Sequence, residues 1–408
     1  MATHLPAAAS LSALIMAAAL GQTVIHDPVV MPAVHKLSDW LRERTSEIIE
    51  GCTLLASDGT TIFTPDATHS YGAQWTRDFQ YLVECSPELL AKDTTQRAIR
   101  YTFQGQRSDG CMPDRVQADG RSVYGPGAAS SPAADHAIDN MPFAALLLTS
   151  ATDSWPDAPF FCELEPAARK ALDFVNRSAS TGLVFNDVER PNCTYGFTDT
   201  VAKTGELLFS SLLYLDASRR LHAASVRFGC GDSKRYAAEA EQIARSFNQG
   251  RLYDPDSRLW LAASVDNALP DVWGSLYLVA LNLTTAALRN AAMDELSGRA
   301  SVARYFRAGQ IRHLPYPLTW SRCFGGCPAN GTYQNGAYWA TPFVYLARAA
   351  INTGRESFAA QMITDCISDF QARGIYEDVD DGYAFVYTHH APCKVHHAPC
   401  TVHHATCA

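Results

Sequence analysis

The chain carries, from Gly196 to Phe209, the sequence GFTDTVAKTGELLF, a polar loop that runs directly into the apolar segment Ser-Ser-Leu-Leu-Tyr. Apolar spacing predicts a helix over 202–224. Asp199, Lys203 and Glu206 are separated by four and three residues, so on a helix they would share one face. One interpretation is a surface row of ion pairs. The apolar continuation favours the other, a cavity mouth where the pKa of Asp199 or Glu206 is raised.

The same arrangement of a polar loop and an apolar helix recurs along the chain. Short strand signals, such as those at 60–63 and 183–185, suit small hairpins in the loops. No Pro- or Ser-rich linker interrupts residues 30–387, which we therefore predict to be one helical domain. Apolar spacing predicts eleven helices, at 36–50, 77–90, 92–106, 134–151, 163–177, 202–224, 233–248, 272–289, 293–308, 336–353 and 356–372.

Aromatic and polar residues cluster in several of these loops. A Trp beside a fixed carboxylate suits a sugar, whose apolar ring face lies on the indole while its hydroxyls bind the carboxylate. On spacing alone, however, Asp78 is better explained by interaction with donors at a helix N-terminus. The clusters contain Trp75, Arg77 and Asp78; Asp139 and Asn140; Trp273; and Tyr338 and Trp339.

A late acidic segment reads Tyr376-Glu-Asp-Val-Asp-Asp381. Its spacing does not match a twelve-residue calcium loop, so a solvated acidic loop is the simpler interpretation. The sequence lacks a phosphate-binding glycine loop, a serine nucleophile elbow and a zinc-binding HExxH motif. We therefore expect neither a metal site nor a cofactor.

Composition narrows the classes of function. The 408 residues are 47% hydrophobic and 18% charged, which excludes a disordered chain and provides for a large core. The net charge is −9, and because phosphate binding needs clustered Lys and Arg, we expect no nucleic-acid partner. Composition leaves the oligomeric state undetermined.

The two ends of the chain differ from the body. Residues 1–25 include the apolar run 11–20, which is too short to span a bilayer but suits a secretory leader. Four N-x-S/T sequons (Asn176, Asn192, Asn282 and Asn330) and nine Cys before residue 380 also favour secretion, with the cytoplasm as the alternative. The Cys323–Cys327 pair is close enough for a local disulfide. Residues 388–408 repeat a His/Cys heptad three times, which indicates a low-complexity tail.

Taken in order, WTRDF (75–79), IDNMPF (138–143), GFTDTVAKTGELLF, VWGS (272–275) and YQNGAYWATP (333–342) resemble motifs of the six-hairpin glycosidases. That clan includes glucoamylases, trehalases and alpha-glucosidases, and the likeness covers roughly residues 40–385. The resemblance implies an all-α fold, an (α/α)6 toroid of helical hairpins with short β-hairpins in the loops and a pocket at one end. The eleven predicted helices are one fewer than the twelve of such a toroid.

The resemblance also implies roles. Asp199 corresponds to the catalytic acid, with Glu206 as a rival, and Glu377 corresponds to the base. Asp78 would hold sugar hydroxyls beside Arg77, and four aromatics (Trp75, Trp273, Tyr338 and Trp339) would form the pocket wall. The other polar residues of these clusters are also predicted to bind the substrate: Asp139, Asn140, Lys203 and Glu206. The expected activity is hydrolysis of a glycosidic bond in a carbohydrate substrate with inversion of the anomeric centre. The alternatives are a sugar isomerase or epimerase, and an inactive carbohydrate-binding barrel.

Overall fold

The computed structural model describes residues 31–67, 69, 71–126, 135–299, 304–376 and 378–381. Within these ranges the chain forms eleven α-helices. They are α1 Met31–Gly51, α2 Thr76–Cys85, α3 Lys92–Gln104, α4 Asn140–Ser154, α5 Ala158–Phe174, α6 Leu208–Phe228, α7 Ser233–Asn248, α8 Val272–Ala280, α9 Ala286–Gly298, α10 Phe343–Thr353 and α11 Glu356–Arg373. Each predicted helix has its counterpart, so the number of helical segments predicted from apolar spacing is confirmed.

Several helix boundaries were wrong. The helix predicted at 202–224 begins only at Leu208, and the one predicted at 336–353 begins at Phe343. In both places the residues before the helix form short paired strands, whose partners are distant in sequence and therefore invisible to local periodicity. As a consequence Asp199, Lys203 and Glu206 do not share a helical face: they lie in a turn, a loop and a strand.

Helices alternate between two concentric layers. The even-numbered helices α4, α6, α8 and α10 are buried on nearly all sides, whereas α3, α7 and α11 alternate buried and exposed positions. The inner helices pack in succession, α2 on α4, α4 on α6, α6 on α8 and α8 on α10. In the outer layer, α11 packs on α1 and so brings the two ends of the series together. The fold is therefore a toroid of helical hairpins, as expected.

Small antiparallel sheets occupy the connections. They are formed by β1 Thr53–Leu55 with β2 Thr61–Phe63; by β3 Ala73–Trp75, β4 Arg115–Gln117 and β5 Ser122–Val123; by β6 Phe185–Asn186 with β7 Gly205–Glu206; by β8 Tyr253–Asp254 with β9 Leu259–Trp260; and by β10 Phe306–Arg307, β11 Gln310–Arg312, β12 Tyr338–Trp339 and β13 Asp378–Val379. Strands β3, β7 and β12 lead directly into α2, α6 and α10. The N-termini of the inner helices thus meet these sheets, and the partial positive charge of helix N-termini is concentrated there.

Half-buried charges link three of the inner helices away from the sheets. Glu84 on α2 accepts hydrogen bonds from Arg220 on α6 at 2.8 Å and from Arg348 on α10 at 2.9 Å. Burial opposes ionisation of Glu84, but the two guanidinium groups outweigh it and hold the pKa of this carboxyl well below its usual range. Tyr81 on α2 also hydrogen-bonds Tyr345 on α10. The first and last described inner helices are therefore linked directly across the ring.

Two disulfides lie within the described residues. Cys162–Cys230 joins the start of α5 to the residues after α6, and Cys323–Cys327 closes a local loop, as the spacing of that pair allowed. Five other cysteines are buried thiols. Among the helices of the described ranges, none is both long enough and apolar enough to cross a bilayer.

We expect Glu84→Gln to lower the free energy of unfolding at pH 7 by about 3 kcal/mol, because two guanidinium groups lose their buried counter-charge. Because the folded-state pKa of Glu84 is depressed, its stabilisation is complete above the unfolded pKa of about 4.3 and declines as the pH falls further. Urea unfolding at pH 7 and pH 3 measures both effects.

Glu163→Gln is the matched control. Glu163 pairs with Arg100 at 2.7 Å, but its side chain is about half exposed (48%). We expect a loss of less than about 1 kcal/mol. Equal losses in the two variants would contradict the structural role assigned to Glu84.

Candidate active site

Arg77, the second residue of α2, connects three loops at the sheet end of the toroid. Its guanidinium donates to Asp114 Oδ1 at 2.5 Å and to Asp139 Oδ2 at 3.2 Å. All three side chains are buried. Burial alone would lower the pKa of Arg77, but the carboxylates of Asp114 and Asp139 raise it well above its usual value, so the guanidinium stays charged.

The loop before α6 is attached to the ion pair of Arg77 and Asp139. Asp139 Oδ2 also accepts a hydrogen bond from the backbone N–H of Gly196 at 2.7 Å. A Cβ atom on Gly196 would lie 1.8 Å from Arg77 Nε, so only glycine allows this approach. The ion-paired Arg77 therefore fixes the start of the segment that carries Asp199.

Asp199 lies three residues beyond Gly196, at the end of the 3₁₀ turn Gly196–Thr198. Its side chain is partly exposed, and Gln334 Nε2 donates to its Oδ1. Burial raises the pKa of the Asp199 carboxyl to about 6, although the Gln334 hydrogen bond and the charge of Arg77 act in the opposite direction. A carboxyl that keeps its proton up to that pH can serve as a general acid.

Asp78 follows Arg77 and is also partly exposed. Burial raises its pKa to about 7; Arg77 opposes this shift, while Asp114 and Asp139 add to it. In this structure the Asp78 side chain forms no hydrogen bond with another described side chain. Its carboxyl is therefore available to a polar ligand such as a sugar hydroxyl.

The acidic segment is attached to the site through β13. Asp381 accepts from Arg312 Nη1 at 3.1 Å and from the Tyr338 hydroxyl at 3.2 Å. Asp378 is paired with Trp339 across β12 and β13, and burial together with Asp380 raises its pKa to about 7. Asp381 is thus a half-buried anchor rather than part of a solvated loop. Glu377 itself lies outside the described residues.

Several aromatic residues pack on one another and on Phe197, which lies two residues before Asp199. Trp273 stacks on His313 with ring centroids 3.5 Å apart, and Trp339 lies 6.1 Å from Trp273 and 6.3 Å from Phe197. The four aromatics predicted from sequence are all almost fully buried. Phe197 and Tyr333, which neighbour Trp339, keep part of their surface exposed.

Other candidates from the sequence have internal partners. Asn140 Nδ2 donates to the carbonyls of Met112 and Tyr124, and Glu206 pairs with Arg251 and accepts from the Thr181 hydroxyl. Lys203 Nζ donates to Thr198 Oγ1 at 2.9 Å, and burial lowers its pKa. The geometry therefore assigns these three side chains to loop support, and Glu206 is less suited than Asp199 to donate a proton.

Sequence reasoning missed several residues that build the site. Gln334 lies within the quoted YQNGAYWATP motif, but its bond to Asp199 spans 135 positions. Asp114 is the partner of Arg77, and Arg312 is the partner of Asp381. Local sequence patterns do not reveal such distant pairs. An Arg or Gln within a motif that has no obvious partner nearby in the sequence is the signal that would have prompted a search for a distant one.

Solved structures share this fold. A GH63 mannosylglycerate hydrolase from Thermus thermophilus in complex with glucose is 14% identical over 83% of this chain and 93% of its own, with a TM-score of 0.59. A rhamnosidase from Klebsiella oxytoca with rhamnose bound is 15% identical over 88% of this chain and 59% of its own (TM-score 0.58). A sugar epimerase from a ruminal bacterium is 11% identical over 89% and 88% (TM-score 0.52).

No protein-family model matches the sequence, and no curated protein does so either. At identities of 11–15%, the structural likeness establishes the fold alone. Two of these three neighbours are glycoside hydrolases and the third is an epimerase, so the activity of this chain must be argued from its own site.

We expect Gly196→Ala to lower the free energy of unfolding by about 1–3 kcal/mol, because the added methyl group collides with the Arg77 guanidinium. The loop that carries Asp199 would be displaced as well. Gly298→Ala is the control, since a Cβ there meets nothing within 4 Å. Thermal unfolding compares the two variants, and equal stability would contradict the close packing of Gly196 on Arg77.

Proposed function

We propose that the protein is a glycoside hydrolase that inverts the anomeric centre of a carbohydrate substrate. The observation that carries this proposal is the partly exposed Asp199 carboxyl, with its pKa raised to about 6, at the sheet end of the toroid. The fold that this chain shares with glycoside hydrolases supports the proposal. The resemblance of the ordered loop motifs to six-hairpin glycosidases supports it independently.

Asp199 is the general acid. Its carboxyl transfers a proton to the glycosidic oxygen as the bond from that oxygen to the anomeric carbon breaks, and the aglycone leaves as an alcohol. The proton must be present when substrate binds, so activity should fall as the pH rises above about 6.

Glu377 is the base. It takes a proton from a water molecule, whose oxygen bonds to the anomeric carbon from the face opposite the leaving group. The strand Asp378–Val379, which directly follows Glu377 in the sequence, pairs with β12, and Asp381 is held by Arg312 and Tyr338; these contacts next to Glu377 in the chain support the assignment. Inversion requires the two carboxyl groups to be about 6.5–9.5 Å apart.

Asp78 holds hydroxyl groups of the sugar in the cleavage subsite. Its partly exposed carboxyl belongs to the residue that follows Arg77. Asp139, the ion-pair partner of Arg77, also holds the Asp199 loop through the Gly196 N–H. Phe197 and Tyr333 offer exposed aromatic surface for the apolar face of the ring, backed by buried Trp339. The buried ion pair of Arg77 and Asp139 holds the loop of Asp199 in place.

An epimerase is the second candidate, favoured by one neighbour in the fold and by the buried His313 beside the site. Such enzymes normally use His residues as acid and base. Burial and the nearby charge of Lys203 lower the pKa of His313 well below its usual value, so this ring stays neutral and is a weak base. His136, the other candidate, instead contacts Asp135 and Phe174. The carboxyl groups therefore favour hydrolysis.

We also propose that the protein is secreted. The two disulfides support an oxidising compartment, since such bonds are rare in the cytosol. Asn176, Asn282 and Asn330 are exposed, as sites of glycan attachment must be.

The first test compares wild type with Asp199→Asn on a panel of alpha- and beta-linked disaccharides. Loss of the general acid should reduce kcat by about 10²–10⁴-fold. On 4-nitrophenyl glycosides or glycosyl fluorides of the same sugar the reduction should be smaller, because these leaving groups need less protonation. Asp256→Asn, at an exposed position, is the control and should retain full activity.

The base is tested with Glu377→Gln. Because water must still be activated, this variant should lose activity on disaccharides and on activated glycosides alike. Full activity of Glu377→Gln would reject it as the base. Sugar binding by the wild type without turnover on any substrate would favour the inactive binding barrel instead.

A further inference from the structure

The side-chain amide of Gln334 lies between the Asp199 carboxyl and the residue that follows it. Its Nε2 donates to Asp199 Oδ1. Its Oε1 accepts from the Thr200 backbone N–H at 2.8 Å and from the Thr200 hydroxyl at 2.6 Å. Both ends of the amide are thus used on two consecutive residues of one loop, and only 1% of Gln334 is exposed.

Gln334 is itself held from the opposite side. Its backbone carbonyl accepts from Trp320 Nε1 at 2.9 Å, and the neighbouring Asn335 Oδ1 accepts from the Trp320 backbone N–H at 2.7 Å. Asn335 Nδ2 in turn donates to the Pro328 carbonyl at 2.8 Å. The amide therefore approaches Asp199 from a rigid segment that belongs to a different part of the chain.

We propose that Gln334 is a positioning residue that fixes the Asp199 carboxyl for proton donation. The inference rests on the proposed function, in which Asp199 is the acid. Since an N–H group donates to Oδ1, that oxygen acts as the acceptor, and the transferable proton resides on Oδ2. Gln334 thereby selects which oxygen faces the glycosidic oxygen.

The charges around Asp199 determine how the pKa of its carboxyl would change if the Gln334 hydrogen bond were lost. Arg77 favours the ionised carboxylate, whereas Asp114 and Asp139 favour the protonated acid. The buried Cys193 thiol is a further titratable group that interacts with Asp199. A hydrogen bond donated by Gln334 favours the ionised form, so its removal raises the pKa of Asp199.

The test is a carbon-13 NMR titration of the full chain with labelled Asp carboxyl groups, in which the signal missing from Asp199→Asn identifies this residue. In Gln334→Met we expect the Asp199 signal to titrate about 0.5–1 pH unit higher than in wild type. Gln334→Asn keeps a neutral amide but is one methylene shorter, so it withdraws the donor from Asp199 without adding a charge, and it decides the matter if Gln334→Met does not fold.

Gln74→Met is the matched control, because Gln74 is an equally buried amide that donates to Ala98 and Thr102 instead. It should lose stability without shifting the Asp199 titration. An unshifted Asp199 signal in a folded Gln334 variant would overturn the proposal, because a merely structural amide would change stability alone.

Activity provides the second readout. On a substrate found with the wild type, Gln334→Asn should lower kcat by about 10-fold or more with little change in KM, and the basic limb of the pH profile should shift as the titration does. A shifted titration in a protein that hydrolyses no glycoside would support the coupling of Gln334 to Asp199 and reject the proposed function.

Discussion

The buried pairing of Arg77 with Asp114 and Asp139 is the interaction on which the site depends. Charges out of water are tolerated only when they are paired and hydrogen-bonded, so the guanidinium fixes the relative positions of the segments that provide its partners. Asp139 also accepts a hydrogen bond from the Gly196 N–H, which fixes the start of the loop that carries Asp199. Because a Cβ at position 196 would collide with Arg77, only glycine allows the loop to pack this closely on the ion pair.

A second anchor of the same kind holds the opposite side. Arg312 and Tyr338 bind Asp381, which attaches the acidic segment to the four-stranded sheet. Three carboxyl groups remain partly exposed in these loops, and burial raises their pKa values to between about 6 and 7: Asp78, Asp199 and Asp378. The ion pairs of Arg77 and Arg312 hold the loops in place, while the desolvated carboxyl groups have raised pKa values. This combination is suited to acid–base chemistry.

Periodicity in the sequence predicted the helices because an amphipathic or fully apolar helix is a local pattern. The starts of α6 and α10 could not be predicted in the same way, since β7 and β12 pair with strands far away in the chain. The motifs contain the loops from which the candidate site is built, but they do not reveal the contacts between those loops. Arg77 and Asp139 were predicted to bind the sugar, but in the structure both are buried and form an ion pair. The two partners of Arg77, Asp114 and Asp139, lie 37 and 62 positions away in the sequence. Gln334 was overlooked because an amide carries no charge and its contact is formed only in the folded chain.

The measurement that tests the central claim most directly is a proton NMR time course of the first turnovers by the full chain. The panel is one of alpha- and beta-linked disaccharides. With Asp199 as acid and a separate carboxylate activating water, the first-formed sugar should have the anomeric configuration opposite to that of the substrate, before mutarotation equilibrates it. A product that retains the configuration of the substrate, or a wild-type protein that cleaves no member of the panel, would contradict the account.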